Sequence, residues 1–294
     1  TKAGISDQLR QRFQSELNRL NLRHLTVSVE PQHGAKGVTY HQVRFTTAKS
    51  SGWSASDVLS EGEQRCIALA GFLAEVSTQP SRSGIVFDDP VSSLDHERRA
   101  VVAARLVEEA KTRQVIVFTH DLVFLLFLEE ECRRQGAAWK AAYLTHQGPK
   151  RGVPVDGLPW YGQTIKQRTK WLRQQVQQLI ADSKGLEKEM VELKASMLWG
   201  RLREAWECGV EEALLGGAIK RFSRKVSTQQ LKHVSDITAD DIAAVDAGMT
   251  ICSTWMPGHD LAAAINQPMP TLDVLRDEVE KLEAWRVAIE IRRK

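Results

Sequence analysis

The chain has 294 residues, 40 Lys and Arg against 37 Asp and Glu, 42% hydrophobic and 6% aromatic content and 19 Gly. That composition is ordinary for a globular protein and excludes a disordered tail, a collagen-like fibre and a low-complexity segment. The net charge of +3 is spread evenly, with 19 basic and 17 acidic side chains in residues 1–150 and 21 and 20 in residues 151–294. Overall charge therefore announces no nucleic-acid binder, and such a role must come from a local patch. The longest apolar run, Leu122 to Leu128, is far short of the roughly 18 residues a membrane helix needs, and no charged-then-apolar leader opens the chain. A cytoplasmic protein with no membrane partner is expected. Cys66, Cys132, Cys208 and Cys252 lie far apart with no CxxC pair, which excludes a zinc knuckle or disulfide framework and leaves buried thiols. The chain opens on Thr1, which reads as a processed product or a cut from something longer.

In chain order, Ile5, Leu9, Phe13, Leu17 and Leu20 form one helical stripe between charged faces, suited to the end of a coiled-coil arm. Leu25 to Val29 and Val38 to Phe45 alternate as short strands around Pro31, Gly34 and Gly37, and residues 46–58 read as a loop. A helix follows from Glu63 to Val76, then the apolar run Gly84 to Phe87, a helix over 96–111, the run Val115 to Phe118, a helix over 121–135, and a third run, Ala138 to Leu144. Buried strands alternating with helices indicate a mostly parallel sheet covered by helices. Three Pro and four Gly between Gln147 and Gly162 mark a domain boundary, so that residues 1–150 form one domain and residues 151–294 another. Beyond it only helices are expected. Ile165, Leu172, Leu179, Leu186 and Leu193 recur every seven residues, with Val176 and Met190 between them, predicting one helix of about 30 residues as a bundle helix or a coiled coil. Further helices are expected over 196–215, 238–247 and 271–291, the last two N-capped by threonines. Trp199, Trp206 and Trp285 sit on helical stripes and read as core.

Four short elements in the first domain carry chemistry. Ser60 and Gly62, with Glu63 and Gln64, open a helix in the run Leu59 to Gln64, where a hydroxyl, free N–H groups and the positive helix end suit a terminal phosphate. Asp88 and Asp89 end a strand, and paired carboxylates there can divide the tasks of holding Mg²⁺ and polarising water. Ser92-Ser93-Leu94-Asp95 follows, and Val117-Phe118-Thr119-His120 ends the next strand. Each element alone has an ordinary reading as a solvated loop or a structural histidine.

In this order they resemble the signature motif, Walker B, D-loop and switch histidine of ABC-type ATPase heads, the SMC/RecN/RecF branch in particular. The resemblance implies ATP and Mg²⁺ as cofactors, Asp88 toward the metal, Asp89 as general base in place of the usual glutamate, and His120 on the γ-phosphate. It assigns Ser60, Gly62, Glu63 and Gln64 to the nucleotide and Asp95 to the opposing head. The implied fold is α/β, the mostly parallel sheet of an ABC-type ATPase C-lobe with an all-α C-terminal domain. No GxxxxGK[ST] and no Gly-Lys dipeptide occurs, so the Walker A lobe is expected upstream or on another chain, and the working unit is a homodimer with heads facing across shared ATP.

The run Phe87 to Asp95 with Phe118 to Asp121 is similar to the branch holding the PrrC and RloC anticodon nucleases and related phage-defence ATPases. That resemblance implies an RNase of arginine, glutamate and histidine, matched here by Arg203, Glu207 and His259, with His233 competing for the last place. Such a trio supplies base, acid and cation for RNA cleavage, while Arg203 and Glu207 are equally an ordinary i, i+4 ion pair. Lys220, Arg221, Arg224 and Lys225 around Phe222 suit the phosphates of RNA, tRNA for instance, or of DNA, and a solvated basic loop reads the same. The alternative function is a DNA-sensing or DNA-repair ATPase whose helical domain only docks a partner protein.

Overall fold

The structure, a computed structural model, describes residues 2–25, 27–32, 40–45, 59–221, 226–257 and 268–294. It divides into two compact units, Thr1–Ala142 and Tyr143–Lys294. In the first, helix α1 (Lys2–Arg19) buries Phe13 and Leu17 and is followed by buried Leu20 and Leu22. Its stripe lies along α2 (Glu61–Thr78), whose Cys66, Ile67, Ala70, Leu73 and Ala74 face it within one core. The Phe, Leu and Ile side chains of this core each contribute up to about 1.5–3 kcal/mol on burial. Between these helices β1 (Val27–Gln32) and β2 (Tyr40–Phe45) pair antiparallel, Val27 opposite Phe45. The loop expected over 46–58 lies outside the described residues.

Strand β3 (Ile85–Asp88), helix α3 (His96–Ala110), strand β4 (Val115–Phe118) and helix α4 (Leu122–Gln135) follow as the alternation predicts. The two strands pair parallel, Ile85 opposite Val115 and Asp88 opposite Phe118. Ile85 and Phe87 point into the core with Val115 and Val117 beside them. On the other face Val86, Ile116 and Phe118 are 57%, 39% and 53% exposed. Parallel sheets ordinarily have both faces covered, so this face is left open among the described residues.

The third apolar run does not extend that sheet. Strand β5 (Ala142–Gln147) pairs instead with β6 (Lys150–Asp156), and a connection of two residues, Gly148 in the left-handed region at φ 56° and Pro149, can join only antiparallel strands. Tyr143 and Thr145 are half-buried while Ala142, Leu144 and His146 are exposed, the alternation of a hairpin and not of a fully buried strand. In place of a mostly parallel sheet, the described residues therefore hold three two-stranded sheets, of which β3 and β4 form the parallel one. The same hairpin interrupts the helices-only pattern expected beyond residue 150.

The second unit is otherwise helical, with α5 (Ile165–Asp182), α6 (Lys188–Gly209), α7 (Ala239–Trp255) and α8 (Leu272–Arg292). The single long helix expected from the heptads breaks. Ser183–Gly185 forms a 3-10 turn, Leu186 is extended, and α6 packs back on α5. Glycine, the weakest helix former after proline, ends the first segment. Ile165, Leu172, Val176 and Leu179 are buried as that stripe requires, but Met190 and Leu193 are 44% and 55% exposed, because α6 buries another stripe through Ala195, Trp199, Leu202 and Trp206. The helix expected over 196–215 is the rest of α6 plus one π turn, Val210–Leu214. Trp199 and Trp206 are almost fully buried and Trp285 is buried beside them, and Gly248 of α7 admits the Trp206 ring where a Cβ would come within 2.3 Å of it. Thr238 caps α7 in a box with Asp241, whereas Thr271 makes no side-chain cap bond to α8. All four cysteines are buried and free. Burial pushes the Cys208 and Cys252 thiols up to about 12.

Candidate nucleotide-binding edge

The carboxyl ends of β3 and β4 bring three of the four sequence elements together. Strand β3 ends at Asp88, which is exposed, and the chain then turns through Asp89 at φ 46°. A left-handed non-glycine residue costs about 1–2 kcal/mol, least for Asp and Asn. The turn is held because the Asp89 N–H donates to the Phe118 carbonyl at 2.8 Å, extending the parallel ladder by one bond. Across it, the Asp89 carboxylate meets His120 Nδ1 at 3.2 Å and accepts from the Thr119 hydroxyl at 3.3 Å. His120 is largely exposed at the tip of the edge, its side chain 82% accessible.

Thr119 is a residue that sequence patterning passes over. Its oxygen also accepts the Asp121 N–H at 3.0 Å, while Asp121 caps α4 by accepting from the Phe124 N–H at 2.9 Å. Arg99 completes the frame. It pairs with Asp121 at 2.7 Å and donates to the Leu94 carbonyl at 2.9 Å, tying the loop after Asp89 to the start of α4. Within that loop Ser92 donates to the Asp89 carbonyl, and Ser93 is left-handed at φ 66°. Two strained residues in one five-residue loop are the kind of backbone that surrounding structure over-determines at functional sites.

Asp95 ends the loop as the N-cap of α3, accepting from the Arg98 N–H at 2.9 Å and pairing with Arg98 Nε at 3.3 Å. Its carboxylate is thus engaged within its own helix turn. The fourth element seats beside it. Gly62, in the first turn of α2, lies where a Cβ would meet the Ser93 carbonyl at 3.0 Å and the Leu94 side chain at 3.2 Å, a crowding that glycine avoids. Glu61 adds a bond to the Ser93 hydroxyl, which with Arg65 holds its carboxyl below the usual range.

Ser60 and Glu63 make a reciprocal capping box. Ser60 Oγ accepts the Glu63 N–H at 3.3 Å, and Glu63 takes the Ser60 N–H at 3.0 Å and the Ser60 hydroxyl at 2.7 Å. Glu63 also meets His24 at 3.1 Å and Arg98 at 3.6 Å. These donors, the Ser60 hydroxyl foremost, hold its carboxyl down to about 2. Gln64 turns back to donate to the Leu59 carbonyl at 2.9 Å. Glu63 and Gln64 are thus engaged with the start of their own helix.

In the second unit Arg203 and Glu207 pair at 3.0 Å, and Arg203 also donates to Ser253 at 3.2 Å. Arg221, one of the basic-patch residues, reaches the other Glu207 oxygen at 2.8 Å and Glu211 at 3.3 Å. Two readings separate in sequence thereby share one carboxylate. Lys220 is exposed, whereas His259, Arg224 and Lys225 lie outside the described residues. Among the described residues no group of three or more His, Cys, Asp or Glu could hold a metal by itself, and no helix is long and apolar enough to cross a membrane.

The family model AAA_13, described as an AAA domain, matches residues 13–196, more than half of the chain. No curated protein matches it. Among solved structures, a chain from work on ATP-driven dimerization and DNA-stimulated activation of SMC ATPases is 19% identical at a TM-score of 0.35, the match covering 51% of this chain and 83% of that one. An SMC head bound to the C-winged-helix domain of ScpA is also 19% identical, at a TM-score of 0.37, with 52% and 42% covered.

Proposed function

Because this chain belongs to the AAA_13 family of AAA domains, we propose that residues 1–150 form half of a composite, SMC-like ATP-hydrolysing head. The observation that carries the reading is the meeting of Asp89, Thr119 and His120 at the carboxyl ends of two parallel strands, with the start of α2 seated on the intervening loop. Ligands of open parallel sheets bind outside such strand ends. Asp88, exposed at the end of β3, fits a magnesium ion held by one carboxylate and otherwise by phosphates and water, which needs no protein cage. The metal would neutralise charge on the phosphates. Asp89 takes the proton of the attacking water, and His120 donates to the terminal phosphate from the exposed tip. Ser60, Gly62 and the first turn of α2 present a hydroxyl and a positive helix end to the phosphate of a facing head, and Asp95 reaches toward that head.

The other half must supply the Gly-rich cradle that this sequence lacks. The open apolar face of Val86, Ile116 and Phe118, next to Asp88, supports a Walker A lobe that covers it. The test is ATP hydrolysis by the tagged protein isolated from its own cells with its Walker A lobe. Replacing Asp89 with Asn should lower turnover about 100-fold or more, the scale of a lost general base; an unchanged rate removes Asp89 from that role.

For residues 151–294 the finer reading is an anticodon-nuclease-like RNase under control of the head in phage defence. The convergence of Arg203 and Arg221 on Glu207 supports it, since two guanidiniums beside one carboxylate suit a scissile phosphate. His259 would supply the second proton-transfer group. Protein free of nuclease partners should nick tRNA, and His259→Ala should abolish nicking with ATP turnover intact. Intact RNA beside a working ATPase favours the alternative, a DNA-sensing or DNA-repair head whose helical unit docks a partner.

A further inference from the structure

Glu63 was expected among the groups that touch nucleotide. Its contacts suggest a different duty. One oxygen is taken up by the Ser60 N–H and hydroxyl, at 3.0 and 2.7 Å. The other faces two side chains from different elements: the His24 ring, in the turn that leaves α1, at 3.1 Å, and the Arg98 guanidinium, in the first turn of α3, at 3.6 Å. Arg98 in turn holds Asp95 at 3.3 Å, so one carboxylate joins the serine at the start of α2 to the end of α1 and to the loop carrying Asp89 and Asp95. Another Arg98 nitrogen, Nη1, is buried with no hydrogen-bond partner among the described residues; beside the neutral Cys66 thiol, Glu63 and Asp95 are the carboxylates that hold the guanidinium. The same Ser60 hydroxyl that would meet a phosphate donates to Glu63 as the structure stands.

We infer that Glu63 is a positioning residue, which couples release of the Ser60 hydroxyl to the placement of Arg98 and Asp95. A terminal phosphate arriving at Ser60 takes over the hydroxyl proton from Glu63, an exchange of one acceptor for another that breaks no covalent bond. The freed carboxylate turns further toward the groups its other oxygen already faces, His24 and Arg98, and the hold on Asp95 changes with it. Signature engagement and D-loop position thus move together within one head. This inference rests on the ATPase reading above and deepens it.

The experiment is steady-state ATP hydrolysis by the protein isolated with its Walker A lobe, comparing wild type, Glu63→Gln, Arg98→Ala and the double variant. Glutamine at this position keeps the capping box but removes the charge that holds Arg98. The expected result is about a tenfold fall in kcat for each single variant with KM for ATP within twofold, and no further fall in the double variant, with Glu63→Gln still folded at the assay temperature by circular dichroism. Amide hydrogen exchange of this chain alone adds a readout independent of turnover: Glu63→Gln should raise exchange in residues 95–99. Multiplicative losses in the double variant, or a Glu63→Gln protein with wild-type kcat and exchange, overturn the inference while leaving the ATPase reading standing. A wild type without turnover overturns both.

Discussion

Gly62 and Gly71 lie in the same helix, α2, and alanine at each separates the assembly of the candidate edge from helix formation. At Gly71 the nearest atom to an added Cβ is Phe13 Cε2 at 4.0 Å, an ordinary contact. Alanine there recovers the backbone-entropy cost of glycine, and Gly71→Ala should stabilise the first unit by about 0.5–1 kcal/mol. At Gly62 the same methyl meets the Ser93 carbonyl at 3.0 Å and Leu94 Cδ2 at 3.2 Å. The carbonyl cannot rotate away, because Ser93 sits in a left-handed turn fixed by Asp89 on one side and the Asp95 cap on the other. Overpacking costs about 1–3 kcal/mol, offset by less than 1 kcal/mol of helix propensity, so Gly62→Ala should destabilise by about 1–2 kcal/mol. Urea unfolding followed by amide exchange in α2 and α3 measures both. Gly62→Ala should also loosen residues 89–95, raising exchange there relative to wild type. A Gly62→Ala protein as stable as Gly71→Ala, with unchanged exchange in that loop, would show that the start of α2 does not seat on it and would refute the assembled edge.

Other outcomes follow from the same contacts. The Glu63 carboxyl titrates near 2 when folded against an ordinary 4.5, so its contribution is present above pH 4.5 and is lost as pH falls from there toward 2; Glu63→Gln should flatten the stability profile of the first unit in that window. Replacing Glu16 by Ala removes the bidentate partner of Arg105, which is buried and held at 2.6 and 3.0 Å. The loss should approach about 3 kcal/mol in denaturant melts, with Glu109 at 2.9 Å limiting it. Gly248→Ala drives a methyl into the Trp206 ring and should lower the melting transition of the second unit, read by tryptophan fluorescence, by more than any substitution of exposed Leu193. At pH 8 a thiol reagent should leave all four cysteines unlabelled until urea is added, since each is buried and its thiol is pushed up by desolvation.

Several elements were legible because their signals are local. The helix opened by Ser60, Gly62, Glu63 and Gln64 starts where expected, and the apolar runs ending at Phe87 and Phe118 form the short strands that flanking helices demand, although one of their faces is exposed. The heptads from Ile165 to Leu193 misled for a physical reason. A seven-residue repeat states which side chains share a face but not whether the helix survives Ser183–Gly185, and one helical turn of lost hydrogen bonds is recovered when α6 folds back on α5. The third apolar run was misplaced because Ala138 to Leu144 satisfies both a buried strand and a hairpin strand; the two-residue connection at Gly148 and Pro149 settles which.

The order of chemical residues along the chain, the absence of a Gly-Lys cradle and the burial of the four cysteines are properties of residue type and spacing, and sequence alone determined them. Which carboxylate meets which partner was decided only by the tertiary structure. Asp89 finds Thr119 and His120 because two strands far apart in sequence lie parallel in one register, and Arg221 finds Glu207 because the turn after α6 doubles back. Side-chain hydrogen bonds act over about 3 Å, a distance that pattern and propensity do not specify and that backbone pairing and core packing do.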